Sequence, residues 1–498
     1  MRHTMISLPQ SKDLPVENGP NSISRRDLLG TATLSGLALV GHAAIGDAAA
    51  QANPLANGRP VPAARRFTSR SVEAAIDRVR QKLDRPGEPR RLAEMFARCY
   101  PNTLDTTVNP GEIGGRPDTF VITGDIPAMW LRDSAAQVTP YLRFAAQDAD
   151  LARLIAGVIN RQTRCVLVDP YANAFTDAGT GGPSTGARAP SGVHERKWEL
   201  DSLCYVIRLA HAYWRATGDR APFDAEWRRA ARLIVATVRV QQRKTGVGPY
   251  RFIRKTDRPH DTAYYGSGAP VRPVGLIASA FRPSDDGTLF PFLIPSNMMA
   301  VVALRQLAEL HERVVVDPAF ARECRALAAE VDDAIRLHGI VDHQRHGRVF
   351  AYEVDGFGGQ VLMDDANAPS LLSTPYFGWC SASDPVYRAT RKLVLSEGNP
   401  WYSRGRIADG IGSIHTAPGS IWPLAIIMRA LTSNDDVEIL TAIRQLMASD
   451  AGTGFMHEAF DKDDPQRFSR PWFSWANGLF GELILDVLDK RPAVLQRI

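Results

Sequence analysis

Only five of the 498 residues are cysteine: Cys99, Cys165, Cys204, Cys324 and Cys380. They are widely spaced and odd in number, and no CxxC pair occurs. This excludes a disulfide framework and a cysteine zinc site and leaves buried free thiols as the expectation. The eleven histidines are dispersed, with no HExxH and no His/Asp/Glu cluster at ligand spacing, so no metal is expected. No phosphate loop is present, no GxGxxG opens a helix, and GxSxG is missing. Nucleotide cofactors and serine-hydrolase chemistry drop out together, and no cofactor is expected. The net charge of +5 comes from arginines scattered along the chain rather than gathered in blocks. With no arginine-rich helix and no aromatic-basic motif, nucleic acid is not an expected partner. Strand-like runs are few and short, such as Thr119–Ile122 and Arg348–Val354.

What the chain does have is helical periodicity. Leu151, Leu154, Ile155, Val158 and Ile159 form one stripe at i, i+3, i+4, i+7 spacing. Leu200, Leu203, Cys204, Ile207, His211 and Trp214 form another, and Phe480, Leu483, Ile484, Val487 and Leu488 a later one. Asp317-Pro318 and Asp384-Pro385 read as an N-cap followed by an N1 proline, and Ser433 to Asp436 resembles a capping box. The pattern predicts helices over 90–100, 132–146, 150–165, 199–217, 223–241, 297–313, 318–338, 384–396, 420–432, 434–448 and 474–489. A short one is expected near Asn367, and an extra N-terminal one near 71–83. Apart from that extra helix these make twelve, joined by unequal loops, which suggests an all-α fold: six helical hairpins in a closed ring, the (α/α)6 barrel.

The N-terminus reads as a targeting segment. Ser24-Arg25-Arg26-Asp27-Leu28-Leu29 is a twin-arginine pattern, a weakly apolar run follows to Ile45, and Ala48-Ala49-Ala50 suits cleavage. The run is too rich in Gly, Ala, Ser and Thr for a membrane span. Residues 1–50 are therefore expected to be a signal peptide, 51–70 a flexible linker, and 71–498 one catalytic domain, periplasmic or secreted, with no membrane contact after signal removal.

The loops with unusual chemistry alternate with the helix count. Thr123–Arg132, Phe175–Lys197, Tyr250–Ser296, His415–Ser420 and Gly454–Ser474 all precede even-numbered helices, so in a barrel all reach one rim. Glu458 lies in the last, beside His457 and among aromatics. Aromatic faces suit the C–H faces of a pyranose, and a carboxylate can take a proton from water. Asp285 and Asp286 lie in the third loop, half a ring away in helix order, although Pro283-Ser284-Asp285-Asp286-Gly287 is also ordinary turn chemistry. Two carboxyls facing across a pocket, roughly 6.5–9.5 Å apart, is the layout of an inverting glycosidase. Trp130, Arg132 and Asp133 open the second helix and can hold neighbouring sugar hydroxyls. Glu199 and Asp201 open the fourth, where first-turn acids also suit the helix dipole. Asn297, Asp365, His415, His457 and Trp475 complete the candidate substrate-binding set.

These segments resemble glycoside hydrolase family 125, the exo-acting α-1,6-mannosidases. TGDIPAMWLRDSAAQ, HERKWELDSLCY, FRPSDD with LIPSNM, DDANAPSLL, and GFMHEAFDKDD with RPWFSWANGLFGEL carry the likeness over roughly residues 70–490. The resemblance implies an (α/α)6 barrel, inversion at the anomeric carbon and no metal requirement. It implies release of terminal mannose from a mannose-containing oligosaccharide or N-glycan fragment. The family's general acid is carried to Asp285, with Asp286 as the alternative, and its general base to Glu458. Asp285 would then need its pKa raised, by burial or by Asp286. Two other readings stand beside this one: another glycosidase on the same barrel, glucoamylase-like or a calcium-dependent α-mannosidase, and a glycan-binding protein without turnover.

Overall fold

The computed structural model describes residues 58–177 and 190–498. Through them run α1 (Arg70–Lys82), α2 (Glu88–Cys99), α3 (Asn102–Thr106), α4 (Leu131–Val138), α5 (Ala149–Val168), α6 (Leu200–Thr217), α7 (Ala225–Gln241) and α8 (Ile294–Arg313). They continue with α9 (Pro318–His338), α10 (Thr374–Phe377), α11 (Pro385–Val394), α12 (Pro423–Leu431), α13 (Asp436–Ala448), α14 (Ser474–Lys490) and α15 (Pro492–Leu495). The twin-arginine segment and its cleavage site, and residues 178–189 of the Gly/Ser-rich loop, lie outside the described residues.

The packing order makes a ring. α4 packs on α6, α6 on α8, α8 on α10, α12 on α14, and α14 back on α4. Around it, α2 packs on α14, α5 on α6 and α7, α9 on α8, and α13 on α12. This is an (α/α)6 barrel. The apolar stripes face the interior: Leu151, Leu154, Ile155, Val158 and Ile159 of α5 are all buried, each stabilising by about 1.5–3 kcal/mol relative to exposure. Two glycines set close approaches. A Cβ at Gly157 in α5 would stand 2.4 Å from Thr119 Oγ1, and one at Gly481 in α14 would stand 2.0 Å from the Tyr100 ring. The hairpin Val108–Ile113/Arg116–Val121 can lie on α5, and α2 on α14, because those positions have no side chain.

Inner and outer helices begin differently. Ser69, Asp148, Asp224, Asp317, Asp384 and Asp435 cap α1, α5, α7, α9, α11 and α13 with their side chains, each accepting a backbone N–H of the first turn. The inner helices α4, α6, α8, α12 and α14 follow Trp130, Glu199, Leu293, Trp422 and Phe473 and have no side-chain cap. Their positive N-terminal ends face the loops that carry the candidate site.

Four expectations change in detail. The second helix, expected to reach residue 146, ends as α-helix at Val138 and tightens into a 3-10 turn over Thr139–Phe144, where Pro140 removes an N–H. The short eighth helix is a single turn, Thr374–Phe377, because Pro369 blocks helical geometry at the residue before it. The cap before α13 is Asp435, while the Ser433 hydroxyl bonds Glu438. The linker expected over 51–70 is pinned from residue 58 onward: the Arg59 guanidinium bridges Asp105 and Glu73, and the Arg66 and Phe67 N–H groups donate to the Asp105 and Leu104 carbonyls. All five cysteines are free thiols, and Cys380 alone is not fully buried.

Candidate active site

A pocket opens at the N-terminal ends of the inner helices. Its walls come from the loops that lead into α4, α8, α10, α12 and α14, and the described part of the Phe175–Lys197 loop before α6 supplies none of the lining. Thr123, Ile126 and Trp130 precede α4; Pro283, Ser284 and Asp285 precede α8; Asn367 precedes α10. His415 and Trp422 precede α12; Glu458, Arg470 and Phe473 precede α14; Arg132, Asp133 and Trp475 stand in first turns. Asp285 and Glu458 thus face one cavity, as do five of the expected binding residues: Trp130, Arg132, Asp133, His415 and Trp475.

The Asp285 side is dense with charge. Arg132, buried at 4% exposure, spreads its guanidinium over four carboxyl groups. Nη2 donates to Asp285 Oδ1 at 3.2 Å and Nη1 to Glu199 Oε2 at 2.5 Å. Nη1 is also 3.7 Å from Asp201 Oδ2, and Nε is 3.3 Å from Asp133 Oδ2. The Asn173 amide adds a second bridge, its Nδ2 lying 3.1 Å from Glu195 Oε2, 3.2 Å from Glu199 Oε1 and 3.3 Å from Asp285 Oδ1. Burial would raise the Asp285 carboxyl, but Arg132, contact with Glu199 and the Lys197 ammonium hold it well below the ordinary carboxylate range. The expected upward shift of Asp285 is therefore reversed in the free protein, because a guanidinium and not Asp286 is its nearest charge. Glu199 moves the other way: burial and the Asp285 charge push it well above the usual value despite Arg132. Burial raises Asp133 and Asp201 to about 6 each, against the pull of Arg132.

The Glu458 side is sparse. Ser469 Oγ donates to Glu458 Oε2 at 3.1 Å, and Arg470 Nε stands 3.4 Å from Oε1. Arg470 also reaches Asp125 at 3.5 Å and lies over the Phe473 ring at 5.5 Å. Behind it, the His457 ring stacks on Phe468 at 3.9 Å, and its Nδ1 meets the Arg470 carbonyl at 2.9 Å.

Six expected binding residues are placed behind the pocket wall rather than on it. Glu199 and Asp201 are fully buried beneath Arg132, compensating its charge. Asp286, next to Asp285 in sequence, turns inward: its Oδ1 lies 3.5 Å from His415 Nδ1 and 3.8 Å from His260 Nε2. Of the two neighbouring aspartates only Asp285 lines the pocket. Asn297 spends its amide on the Ile277 and Leu293 backbone, and Asp365 accepts from Ser413 Oγ at 2.8 Å and from the Asn367 N–H. His457 is completely buried and holds the Arg470 backbone. The loops were legible as site-bearing, but the depth of each side chain within the layered polar wall was not.

Asn173, Lys197, Ser469 and Arg470 are the functional residues that sequence reasoning missed. One signal existed for Arg470: two carboxyls in an enclosed pocket need cations or hydroxyls nearby, and Arg470 is the arginine in the Glu458 loop nearest the following helix. Asn173 has no such signal, since its role depends on which carboxyls the fold gathers around it. Among the described residues no group of three or more His, Cys, Asp or Glu side chains could hold a metal ion.

Comparison with known proteins follows the same lines. A family model described as metal-independent alpha-mannosidase (GH125) matches residues 89–485. The Schizosaccharomyces pombe meiotically up-regulated gene 157 protein is 43% identical over 461 residues, 88% of this chain and 90% of its own length. A Streptococcus pneumoniae metal-independent α-mannosidase, solved in a non-productive complex with α-1,6-mannobiose, is 43% identical. It superposes with a TM-score of 0.81 over 85% of this chain and 99% of its own.

Proposed function

This chain belongs to the metal-independent α-mannosidases of family GH125, and from that membership we propose that it is an exo-acting, inverting α-1,6-mannosidase. It is a glycoside hydrolase of the α-mannosidase type; the finer reading rests on the site. The observation that carries it is the placing of Asp285 and Glu458 in one small pocket. A pocket walled by the aromatic faces of Trp130, Trp422 and Trp475 suits the terminal sugar of a chain. The α-1,6-mannobiose bound by the pneumococcal relative supports the linkage.

In the proposed reaction Asp285 gives a proton to the glycosidic oxygen as the bond to the anomeric carbon breaks. Water attacks that carbon from the opposite face, and Glu458 takes the proton the water loses. The product is mannose of inverted configuration and the shortened alcohol. Ser469 and Arg470 orient the Glu458 carboxylate by one hydrogen bond and one longer ionic contact. Arg132, Asp133 and His415 would hold sugar hydroxyls, with Trp475 as an apolar wall.

Proton NMR of α-1,6-mannobiose digestion tests this directly. β-Mannose is expected first, with the α form growing in as the sugar mutarotates. Initial α-mannose would overturn inversion, and cleavage of internal bonds in a longer mannan would overturn exo action. Export is part of the same reading, supported by Arg25 and Arg26 before a weakly apolar run. Loss of the extracytoplasmic protein in an Arg25→Lys/Arg26→Lys chain is expected, and unchanged export would overturn it.

A further inference from the structure

An acid catalyst must carry a proton, yet Asp285 lies 3.2 Å from the Arg132 guanidinium, which favours the ionised carboxylate. Glu199 is the nearest carboxyl that solvent cannot reach, at 0% exposure. Arg132 donates to both groups through different nitrogens, and the Asn173 amide lies within 3.3 Å of both. We propose that Glu199 and Asp285 hold one proton between them, and that Glu199 is the positioning residue that keeps it available to Asp285 at neutral pH. The proposal rests on Asp285 being the acid.

Charge balance supports it. Asp133, Glu199, Asp201 and Asp285 surround a single guanidinium. The other nearby cations are engaged elsewhere: Lys197 by Asp261 at 2.9 Å and Glu195 at 3.7 Å, Arg470 by Glu458 at 3.4 Å and Asp125 at 3.5 Å, and His415 by Asp286 at 3.5 Å. Three buried carboxylates and Asp285 at the pocket wall, gathered around one guanidinium, are too costly to be ionised together, so at least one retains a proton. Glu199 Oε2 is already occupied by Arg132 and by the Ser202 hydroxyl at 3.0 Å. Its Oε1 has only the long Asn173 contact and is free to share a hydrogen with Asp285. The same Asn173 Nδ2 stands 3.2 Å from Glu199 Oε1 and 3.3 Å from Asp285 Oδ1, and one guanidinium bonds both groups, so the two carboxyls are held side by side. When the glycosidic oxygen develops negative charge, the proton leaves from Asp285, and the Asp285 carboxylate produced stays paired with Arg132. Glu199 then takes up the next proton together with Asp285, as a pair with joint titration. The charged groups facing this pair are Arg132 and Asp133 from α4, Glu195 and Lys197 from the segment before α6, Asp201 from α6, and His415 and Arg470 from the loops before α12 and α14.

The test is the pH profile of Glu199→Gln on two substrates: α-1,6-mannobiose, whose leaving group needs a proton, and 2,4-dinitrophenyl α-mannoside, whose leaving group does not. At pH 7 the variant is expected to lose about 100-fold in kcat on mannobiose and far less on the aryl mannoside. Its mannobiose activity should recover as pH falls, because Asp285 alone beside Arg132 protonates only in acid. Glu199→Asp, which keeps a carboxyl, should restore part of the neutral activity. Equal losses on both substrates, or an unmoved profile in either variant, would overturn the proposal. If Glu199→Gln does not fold, the Glu199→Asp profile decides alone: an acid-shifted limb supports proton sharing and an unmoved one rejects it. Failure of the wild-type protein to cleave mannobiose would instead sink the functional reading, so the two failures are distinguishable.

Discussion

Asp285 and Glu458 are carboxyls on the same rim, yet one is surrounded by charge and the other is nearly alone. Around Asp285 stand Arg132, Lys197, Asp133, Glu199 and Asp201. In direct contact with Glu458 are one hydroxyl and one guanidinium at 3.4 Å, with the charges of His415 and Asp133 further off. The difference follows from the work assigned to each. A base that accepts a proton needs only to be a carboxylate held in place. An acid in a cationic setting needs a neighbour that keeps its proton, and such a neighbour must itself be buried and compensated. The two sides do share one feature. Asp285 has φ 67° and Arg470 φ 57°, left-handed backbone that non-glycine residues rarely adopt. Each side chain is aimed by a strained turn just before an inner helix.

The largest contrast comes from removing each carboxyl in turn. Asp285→Asn and Glu458→Gln are each expected to cut kcat on α-1,6-mannobiose by about 10³-fold with the fold intact. On 2,4-dinitrophenyl α-mannoside the two should separate: Asp285→Asn recovers most of its loss, because the leaving group departs unaided, while Glu458→Gln does not, because water still needs its base. Steady-state kinetics on both substrates check this, and parallel losses would erase the division of labour.

Stability gives the next contrast. Arg132→Met leaves four carboxyls without their shared cation, a loss expected at about 3–5 kcal/mol. Arg470→Met removes a largely buried ionic contact of 3.4 Å and a ring contact, about 2 kcal/mol. Urea denaturation of the two variants measures the gap, and equal losses would mean the Asp285 side is no more charge-dependent than the other. Below these lies Ser469→Ala, which deletes one hydrogen bond to the Glu458 carboxylate. A cost of about 1.5 kcal/mol, seen as a roughly tenfold drop in kcat with KM little changed, is the expected outcome.

Much of this arrangement was readable before any coordinates. The helical stripes, the aspartate-proline starts of α9 and α11 and the alternation of loops are local patterns of 3.6 and of capping, and local patterns survive folding. Glu458 and the Asp285/Asp286 pair stand out in the sequence because their loops carry unusual chemistry at opposite points of the ring, while the choice of Asp285 as acid comes from the family resemblance. What escaped was depth. Glu199 and Arg132 both open inner helices behind a tryptophan, yet one lies under the other. Asp285 and Asp286 are adjacent, yet a left-handed turn at Asp285 sends them to opposite sides of the wall. Such choices depend on three-dimensional neighbours tens of residues away, as Asn173 shows by touching carboxyls 22, 26 and 112 positions distant.

The smallest expected effect bears on the histidine that stands between the two sides. Burial would lower His415, but its hydrogen bond to Asp286 and the charges of Asp286, Glu458 and Asp285 raise it to about 9. The ordinary value is about 6.5, so the folded protein binds this proton more tightly than the unfolded chain. Its contribution to stability is therefore fully present below pH 6.5 and is lost as pH rises toward 9. The side chain retains 33% exposure, so water screens the interaction, and the contribution is about 1 kcal/mol or less. His415→Gln should lower Tm slightly at pH 6 and leave it equal to wild type above pH 9. A Tm difference that grows with pH instead would show that His415 is neutral in the folded protein.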